Sequence, residues 1–167
     1  AWESLVAAAR ELEADGVGLV FVGDGAQRAQ IEGLARDTRN VRILPFFPAS
    51  RIPSVLAAAD AHIITVKRGL EGVVVPSKMY GILAAGKPII AVAPEETDAA
   101  SLGARLGFAV PADPDSPDKV AAAIRSLVVD HVKLHRMGEA ARAAAPGYDR
   151  VKELEKFVKI IEEAVNA

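Results

Sequence analysis

The sequence predicts an α/β fold, a parallel sheet with helices on both faces. Three observations carry the prediction. Short apolar segments alternate with amphipathic helical ones along the chain. Ile89-Ile90-Ala91-Val92 is apolar without polar alternation, as expected of a strand covered on both sides. The spacing of these segments fits right-handed βαβ units, with Gly- and Pro-rich turns as punctuation.

The elements follow in order. Trp2, Leu5, Val6, Ala9 and Leu12 recur at helical spacing, and Gly16 stops that helix. Val17–Val22 reads as a buried strand, and Gly23-Asp24-Gly25 turns out of it into a helix carrying Ile31 and Leu34. Val41–Leu44 is a short strand. After Pro45-Phe46-Phe47-Pro48, Ser50 is placed to cap a short helix holding Ile52, Val55 and Leu56. Ala61–Val66 is the third strand, and Lys67 to Val75 a loop.

Ser77 is expected to cap the next helix with its hydroxyl, and Gly86 to close it in a left-handed conformation. Ile89–Val92 follows as a strand, Ala99–Leu106 as a helix and Phe108–Val110 as a last short strand. Ser116 and Pro117 open a helix as cap and first helical residue. Helices are expected over about Asp118–Val129 and Val132–Ala144, then a break at Gly147-Tyr148-Asp149. A final helix carries an apolar stripe from Val151 to Val165 opposite a charged face.

The chain has 167 residues, enough for one domain over residues 1–167 with a real core. It begins inside a helical pattern without Met, so it reads as a piece of a longer protein. A net charge of −2 favours neither nucleic acid nor an anionic membrane. There is no cysteine, which excludes disulfides, thiolate catalysis and zinc–sulfur sites. No apolar run reaches the roughly 18 residues of a membrane span, and no signal peptide is visible. A cytoplasmic location is expected, with contact to the inner face of the membrane through the full-length protein.

Ligands of parallel sheets sit outside the carboxyl ends of the strands. The loops Gly23–Gly25, Pro45–Pro48, Lys67–Lys78 and Pro94–Thr97 should therefore share one rim. A helix opening at Ser77 beside Lys78 suits an anion. Phe46 and Phe47, between prolines, are either core residues or a wall for a planar base. Gly23-Asp24-Gly25 is half of a dinucleotide fingerprint, with Arg28 in place of the third glycine, so a tight turn is the plainer reading. His131 and His135 have a metal-ligand spacing but no third partner, and His62 reads as a satisfied strand histidine. Glu95-Glu96 faces the rim or supplies negative charge to a helix start. No Gly-x-Ser-x-Gly elbow is present.

The run from Val75-Pro76-Ser77-Lys78-Met79-Tyr80-Gly81 to Ala85-Gly86-Lys87-Pro88-Ile89-Ile90 resembles the donor-binding segment of group 1 (family 4) glycosyltransferases. Leu19 to Gly25, Asn40-Val41, and Ile52-Pro53 through Ala59-Asp60-Ala61 are similar to that family in the same order. Leu70-Glu71-Gly72 ahead of Pro-Ser-Lys looks most like the surface-polysaccharide and O-antigen enzymes.

The resemblance implies a Rossmann-like sheet, the C-terminal half of a GT-B fold, in a retaining transferase that uses no metal and no cofactor. The donor is a nucleoside diphosphate sugar, with UDP foremost, and the sugar is of hexosyl or N-acetylhexosaminyl type. The acceptor is a glycan or lipid-linked molecule held by an N-terminal domain. Residues 150–166 would cross to that domain, leaving part of their apolar stripe exposed here, and this chain alone would lack turnover. Pro76, Ser77 and Lys78 would bind the diphosphate, Glu71 and Lys78 would be catalytic, and Gly23, Gly25, Phe46, Phe47 and Tyr80 would receive the nucleoside. Gly81 stands where the family carries a ribose-binding glutamate, and Val73 where it carries the sugar-binding one.

The family's first strand and its basic pair are expected upstream of Trp2. In a 3-2-1-4-5-6 sheet that strand is central, so Val17–Val22 and Ala61–Val66 should flank a gap. The alternative is their direct pairing. Other functions to weigh are a GT-B sugar-nucleotide epimerase and a non-catalytic nucleotide-binding module.

Overall fold

A computed structural model describes residues 2–73, 77–148 and 150–165. The elements are α1 (Trp2–Glu11), β1 (Leu19–Val22), α2 (Arg28–Ala35), β2 (Val41–Leu44), α3 (Ile52–Ala58), β3 (His62–Thr65), α4 (Lys78–Ala84), β4 (Ile89–Val92), α5 (Asp98–Leu106), β5 (Ala109–Ala112), α6 (Pro117–Val128), α7 (His131–Ala144) and α8 (Arg150–Val165).

Among the described residues all strand pairs are parallel, and they fall into two sheets. β1 pairs β2 from Leu19 opposite Val41 to Val22 opposite Leu44. β3, β4 and β5 form the second sheet, with Ile89 opposite both His62 and Ala109. Among the described residues no ladder joins β1 to β3. The direct-pairing alternative is therefore excluded, and the break falls where the gap was expected.

Both sheets rest on one core. Leu5 and Ala8 of α1, and Leu12 just after it, pack with Val120, Ala121, Ala123, Ile124 and Leu127 of α6 and with Ile90 and Val92 of β4. Leu19 and Phe21 of β1, and Ile63 of β3, border that same cluster. A second cluster lies across the sheet, where Ile89 and Ala91 meet Met79, Ile82 and Leu83 of α4, Ala99 and Ala100 of α5, and Phe108. Alternate residues of β4 thus feed opposite clusters, and all four are buried. That is the pattern of a strand covered on both faces. Each large side chain sequestered this way contributes about 1.5–3 kcal/mol.

Two helix ends fix the packing. Gly86 takes φ +64° after α4. The Gly86 amide bonds Leu83 O at 2.9 Å and the Lys87 amide bonds Ile82 O at 3.2 Å, the pair of bonds that defines a Schellman stop. Gly107 repeats it after α5 at φ +79°, with Phe108 N–H on Gly103 O at 3.0 Å. A methyl group on Gly103 would stand 2.5 Å from Ala109 Cβ, so α5 lies on β5 only because residue 103 has no side chain.

Several local expectations need correction. Ser77 occupies the cap position of α4, but its backbone is helical (φ −55°, ψ −23°) and its hydroxyl makes no capping bond. A capping side chain needs an extended backbone to reach the free amides. Ser50 lies inside a 3-10 turn over Ala49–Arg51 rather than at a helix cap. The last strand is shifted to Ala109–Ala112, where Pro111 is tolerated because β5 is an edge strand. Asp130, not singled out in the sequence, caps α7 by accepting the Lys133 amide at 2.8 Å.

The apolar residues Leu154, Phe157, Val158, Ile160, Ile161 and Val165 of α8 are exposed. Among the described residues no helix is long and apolar enough to cross a membrane.

Candidate functional site

Helix α1 shows how the strand ends align. At its start, Ser4 Oγ donates to Pro114 O, just past the carboxyl end of β5, at 2.6 Å. At its finish, Asn40 Nδ2 donates to Ala9 O at 2.7 Å and to Val17 O at 3.0 Å, so the amino ends of β1 and β2 lie there. The carboxyl ends of both sheets therefore face one way. The loops 23–25, 45–48, 67–73, 93–97 and 113–116 leave from that rim. Open parallel sheets bind their ligands at this end of the strands.

The first side of the rim is the turn after β1. Gly23 has φ +129°, a conformation that a side chain would strain. Its amide bonds Leu44 O at 3.1 Å, which ties the turn to the end of β2. Space beside Gly23 and Gly25 is open, with no atom within 4 Å of where a Cβ would stand. Arg28 folds back over the turn, donating to Gly23 O at 3.1 Å and pairing with Asp24 and Glu32 at 2.8 Å each. Glu32 and then Asp24 hold its guanidinium even more firmly protonated than usual. The residue in the third-glycine place is thus a staple for the turn. Beyond β2, Phe46 is 70% exposed and Phe47 is half-buried.

The second side is the loop after β3 and the start of α4. Glu71 is half-buried, and Ser77 and Lys78 are exposed. Pro76 lies outside the described residues. Gly81 faces α3, and a methyl group there would come 3.1 Å from Leu56 Cδ1. The position that lacks a glutamate is therefore used to seat α4 on α3. The Tyr80 ring stacks on Tyr148, with centroids 5.5 Å apart and planes 29° from parallel. Burial, and then the charge of Asp98, push the Tyr148 hydroxyl pKa up. One face of Tyr80 is therefore already taken, and it fixes α4 against the segment before α8.

The rim also carries an ion cluster that the sequence did not flag. Arg68 donates to Asp115 Oδ2 and to Asp113 Oδ1, each at 2.7 Å. The Asp115 amide bonds Asp113 Oδ1 at 3.1 Å, and Lys119 Nζ is 3.7 Å from Asp113 Oδ2. The Asp115 amide first, and then Arg68, hold the Asp113 carboxyl below the usual range. The only sequence signal was an acidic pair in a turn and a cation in a distant loop. Glu95 and Glu96 are exposed ahead of α5.

The histidines lie elsewhere. His62 Nε2 is 2.8 Å from Leu56 O, a satisfied strand histidine. His131 and His135 line an open cleft of about 720 Å³ with Asp60, Lys87, Glu139 and Arg142. That cleft adjoins the residues leading into β3 and β4, the end of the sheet opposite the rim. No group of three acidic or histidine residues among those described could hold a metal.

The arrangement is that of a parallel α/β domain with an open glycine turn and Lys78 near the carboxyl ends of its strands. The chain belongs to the group 1 glycosyl transferases, whose profile matches residues 2–144. It is 31% identical over 130 residues to WcaI of Escherichia coli, named as a colanic acid biosynthesis glycosyl transferase, covering 76% of this chain and 32% of WcaI. It is 26% identical over 162 residues to the glycosyltransferase WbjE of Pseudomonas aeruginosa, covering 95% of this chain and 40% of WbjE.

The chain therefore spans roughly a third to two-fifths of these relatives. Among solved structures, WaaG, a glycosyltransferase involved in lipopolysaccharide biosynthesis, matches with a TM-score of 0.70 at 20% identity, over 95% of this chain and 42% of WaaG. S. aureus TarM, crystallised with fondaparinux, alpha-GlcNAc-glycerol and UDP, matches with a TM-score of 0.71 at 17% identity, over 93% of this chain and 31% of TarM. The fold is the α/β fold of GT-B glycosyltransferases.

Proposed function

We propose that this chain is the donor-binding part of a retaining, metal-independent glycosyltransferase. It would move a hexosyl or N-acetylhexosaminyl group from a nucleoside diphosphate sugar, UDP-linked, to a glycan or lipid-linked acceptor. The observation that carries the reading is the rim at the carboxyl ends of the strands. It places an open glycine turn on one side and Ser77 with Lys78 on the other, in a chain of the group 1 family.

The proposed roles follow from chemistry. Charge collects on the departing diphosphate in the transition state, so a cation aimed there stabilises it by up to a few kcal/mol. Lys78 supplies the cation, and Ser77 and Pro76 the neighbouring hydroxyl and backbone contacts. Glu71 lies in the same loop and is assigned to the sugar. Gly23 and Gly25 leave room for the nucleoside, and Phe46 offers a base a flat apolar face with Phe47 behind it. Tyr80 has only its exposed edge left for this task. α4 has seven residues, so its dipole adds little, and the side-chain charge of Lys78 does most of the work.

The open edges of β1 and β3 are proposed to receive the strand that precedes α1 in the full-length protein. The handedness of the crossovers supports this. α1 and α2 pack together, and α3 packs with α4. A right-handed unit ending in α1 and β1 must begin at a strand on the β3 side of β1. The acceptor domain, and the docking of the exposed face of α8 on it, belong to the same proposal, as does a cytoplasmic site of action. The chain alone is then expected to bind donor without turnover.

Calorimetric titration with UDP, GDP and the free nucleosides tests the reading. UDP should bind more tightly than uridine. Lys78→Ala should weaken UDP about tenfold and uridine hardly at all, with melting unchanged. Absence of any nucleotide binding at millimolar concentration would remove the donor-site reading, and equal losses for UDP and uridine would remove the phosphate role of Lys78.

A further inference from the structure

The described residues of the loop leaving β3, 67–73, form turns and no helix or strand. Their backbone bonds are local, Leu70 N–H to Lys67 O and Val73 N–H to Leu70 O, each at 3.2 Å. Gly69 and Gly72 both have positive φ, +83° and +73°. Such a loop has many shapes available, and choosing one costs backbone entropy of about 1–2 kcal/mol per residue fixed. Glu71 lies within it, and Ser77 and Lys78 follow it.

Arg68 reaches out of this loop. β4 lies between β3 and β5, so the bonds from Arg68 to Asp113 and Asp115 join the loop after β3 to the turn after β5, two strands away. The receiving turn is itself anchored. Pro114 is fully buried and its carbonyl accepts the buried Ser4 hydroxyl of α1. A lone exposed ion pair contributes little. Here one planar guanidinium bonds two carboxylates through two different nitrogens, which sets direction as well as distance. A shape prepared before the ligand arrives spares the ligand that ordering cost.

We infer that Arg68 is a positioning residue for donor binding: held by Asp113 and Asp115, it sets residues 67–73, Glu71 among them, in the shape that receives a nucleoside diphosphate. This rests on the donor-site reading above. It differs from a direct role, in which Arg68 leaves the aspartates to contact the diphosphate itself.

The two roles give opposite results when the aspartates are neutralised. UDP would be titrated calorimetrically into the wild type, Arg68→Ala, Arg68→Lys, the pair Asp113→Asn with Asp115→Asn, and the triple variant of that pair with Arg68→Ala. Positioning predicts that Arg68→Ala and the paired asparagines each weaken UDP about five- to tenfold. The triple variant should be no weaker than either, because all three side chains serve one contact. Arg68→Lys should recover less than half of the loss, since an ammonium cannot span both carboxylates in a fixed plane. Amides of Gly69 to Val73 should exchange faster with solvent in Arg68→Ala, while melting stays within about 2 °C, as expected of an exposed substitution.

Tighter UDP binding with the paired asparagines would overturn the inference, because it would mean that freed Arg68 meets the ligand. Wild-type affinity in Arg68→Ala would overturn it too, leaving a surface ion pair. A wild type that binds no nucleotide would bring down the donor-site reading and this inference together, which separates that failure from the other two.

Discussion

The two sheets of this chain are built from similar apolar strands and end up in different states. Every residue of β4 is buried. In β1, Val20 is 51% exposed and Val22 41%. The difference is one of neighbours. β4 has a strand on each edge and a packed cluster on each face. Among the described residues β1 has one strand partner, β2, and sends Leu19 and Phe21 toward the shared core. An apolar run therefore records the environment a strand is made for. β4 has that environment here, and β1 has half of it.

Truncation of single side chains should widen the contrast most. Ile89 is fully buried between α4, α5 and Phe108. Ile89→Ala should cost about 2–5 kcal/mol, the transfer term plus the cavity left behind. Val20→Ala should cost under about 1 kcal/mol, because half of that side chain already meets water. Urea unfolding monitored by circular dichroism measures both. Equal losses would mean that β1 is as well covered as β4. In a protein carrying the strand proposed between β1 and β3, the cost of Val20→Ala should rise.

Added bulk gives a second test of the tighter half. Gly103 meets Ala109 and Phe108 where α5 crosses β5. Gly103→Ala should destabilise by about 1–3 kcal/mol through overpacking, despite the higher helix propensity of alanine. The same change at Gly18, ahead of β1 and with open space around it, should fall within about 0.5 kcal/mol. Thermal melting decides, and a stabilised Gly103→Ala protein would show that α5 can shift without penalty.

How much of this was legible in the sequence follows from the range of the interactions. β4 was readable, because the five-residue apolar run Ile89–Ala93 between Lys87-Pro88 and Pro94 has few other uses. The stops at Gly86 and Gly107 depend on local backbone chemistry, and only Gly86 was singled out. The gap beside β1 came from family likeness and strand order.

What escaped was either geometric or long-range. Ser77 sits at its cap position with a helical backbone, which no pattern of residue types reveals. Gly81 against Leu56, Tyr80 against Tyr148 and Arg68 against Asp113 join residues 25 or more positions apart in the chain. Of the candidate site, the open turn and the position of Lys78 were anticipated, while the staple at Arg28 and the clamp at Arg68 were not.

The smallest expected effect is a titration that reports on the clamp without any ligand. Asp113 is held below its ordinary range by the Asp115 amide first and by Arg68 second, with Lys119 adding a weaker pull. A carboxyl whose folded pKa is depressed contributes stability above its unfolded value, about 3.9, and loses it as pH falls through the folded value. The Asp113 contact is therefore complete at neutral pH and is lost only as pH falls below the ordinary aspartate range. Carbon-detected NMR of the Asp113 carboxyl should show a midpoint below the ordinary aspartate range. In Arg68→Ala the midpoint should rise only part of the way back, because the Asp115 amide still favours the ionised form. Full return to the ordinary value would show that the amide bond depends on Arg68, making the turn and the loop one cooperative unit. An unchanged midpoint would show that the loop after β3 is not held by this contact, and the rim would then owe its order to the turn after β5 alone.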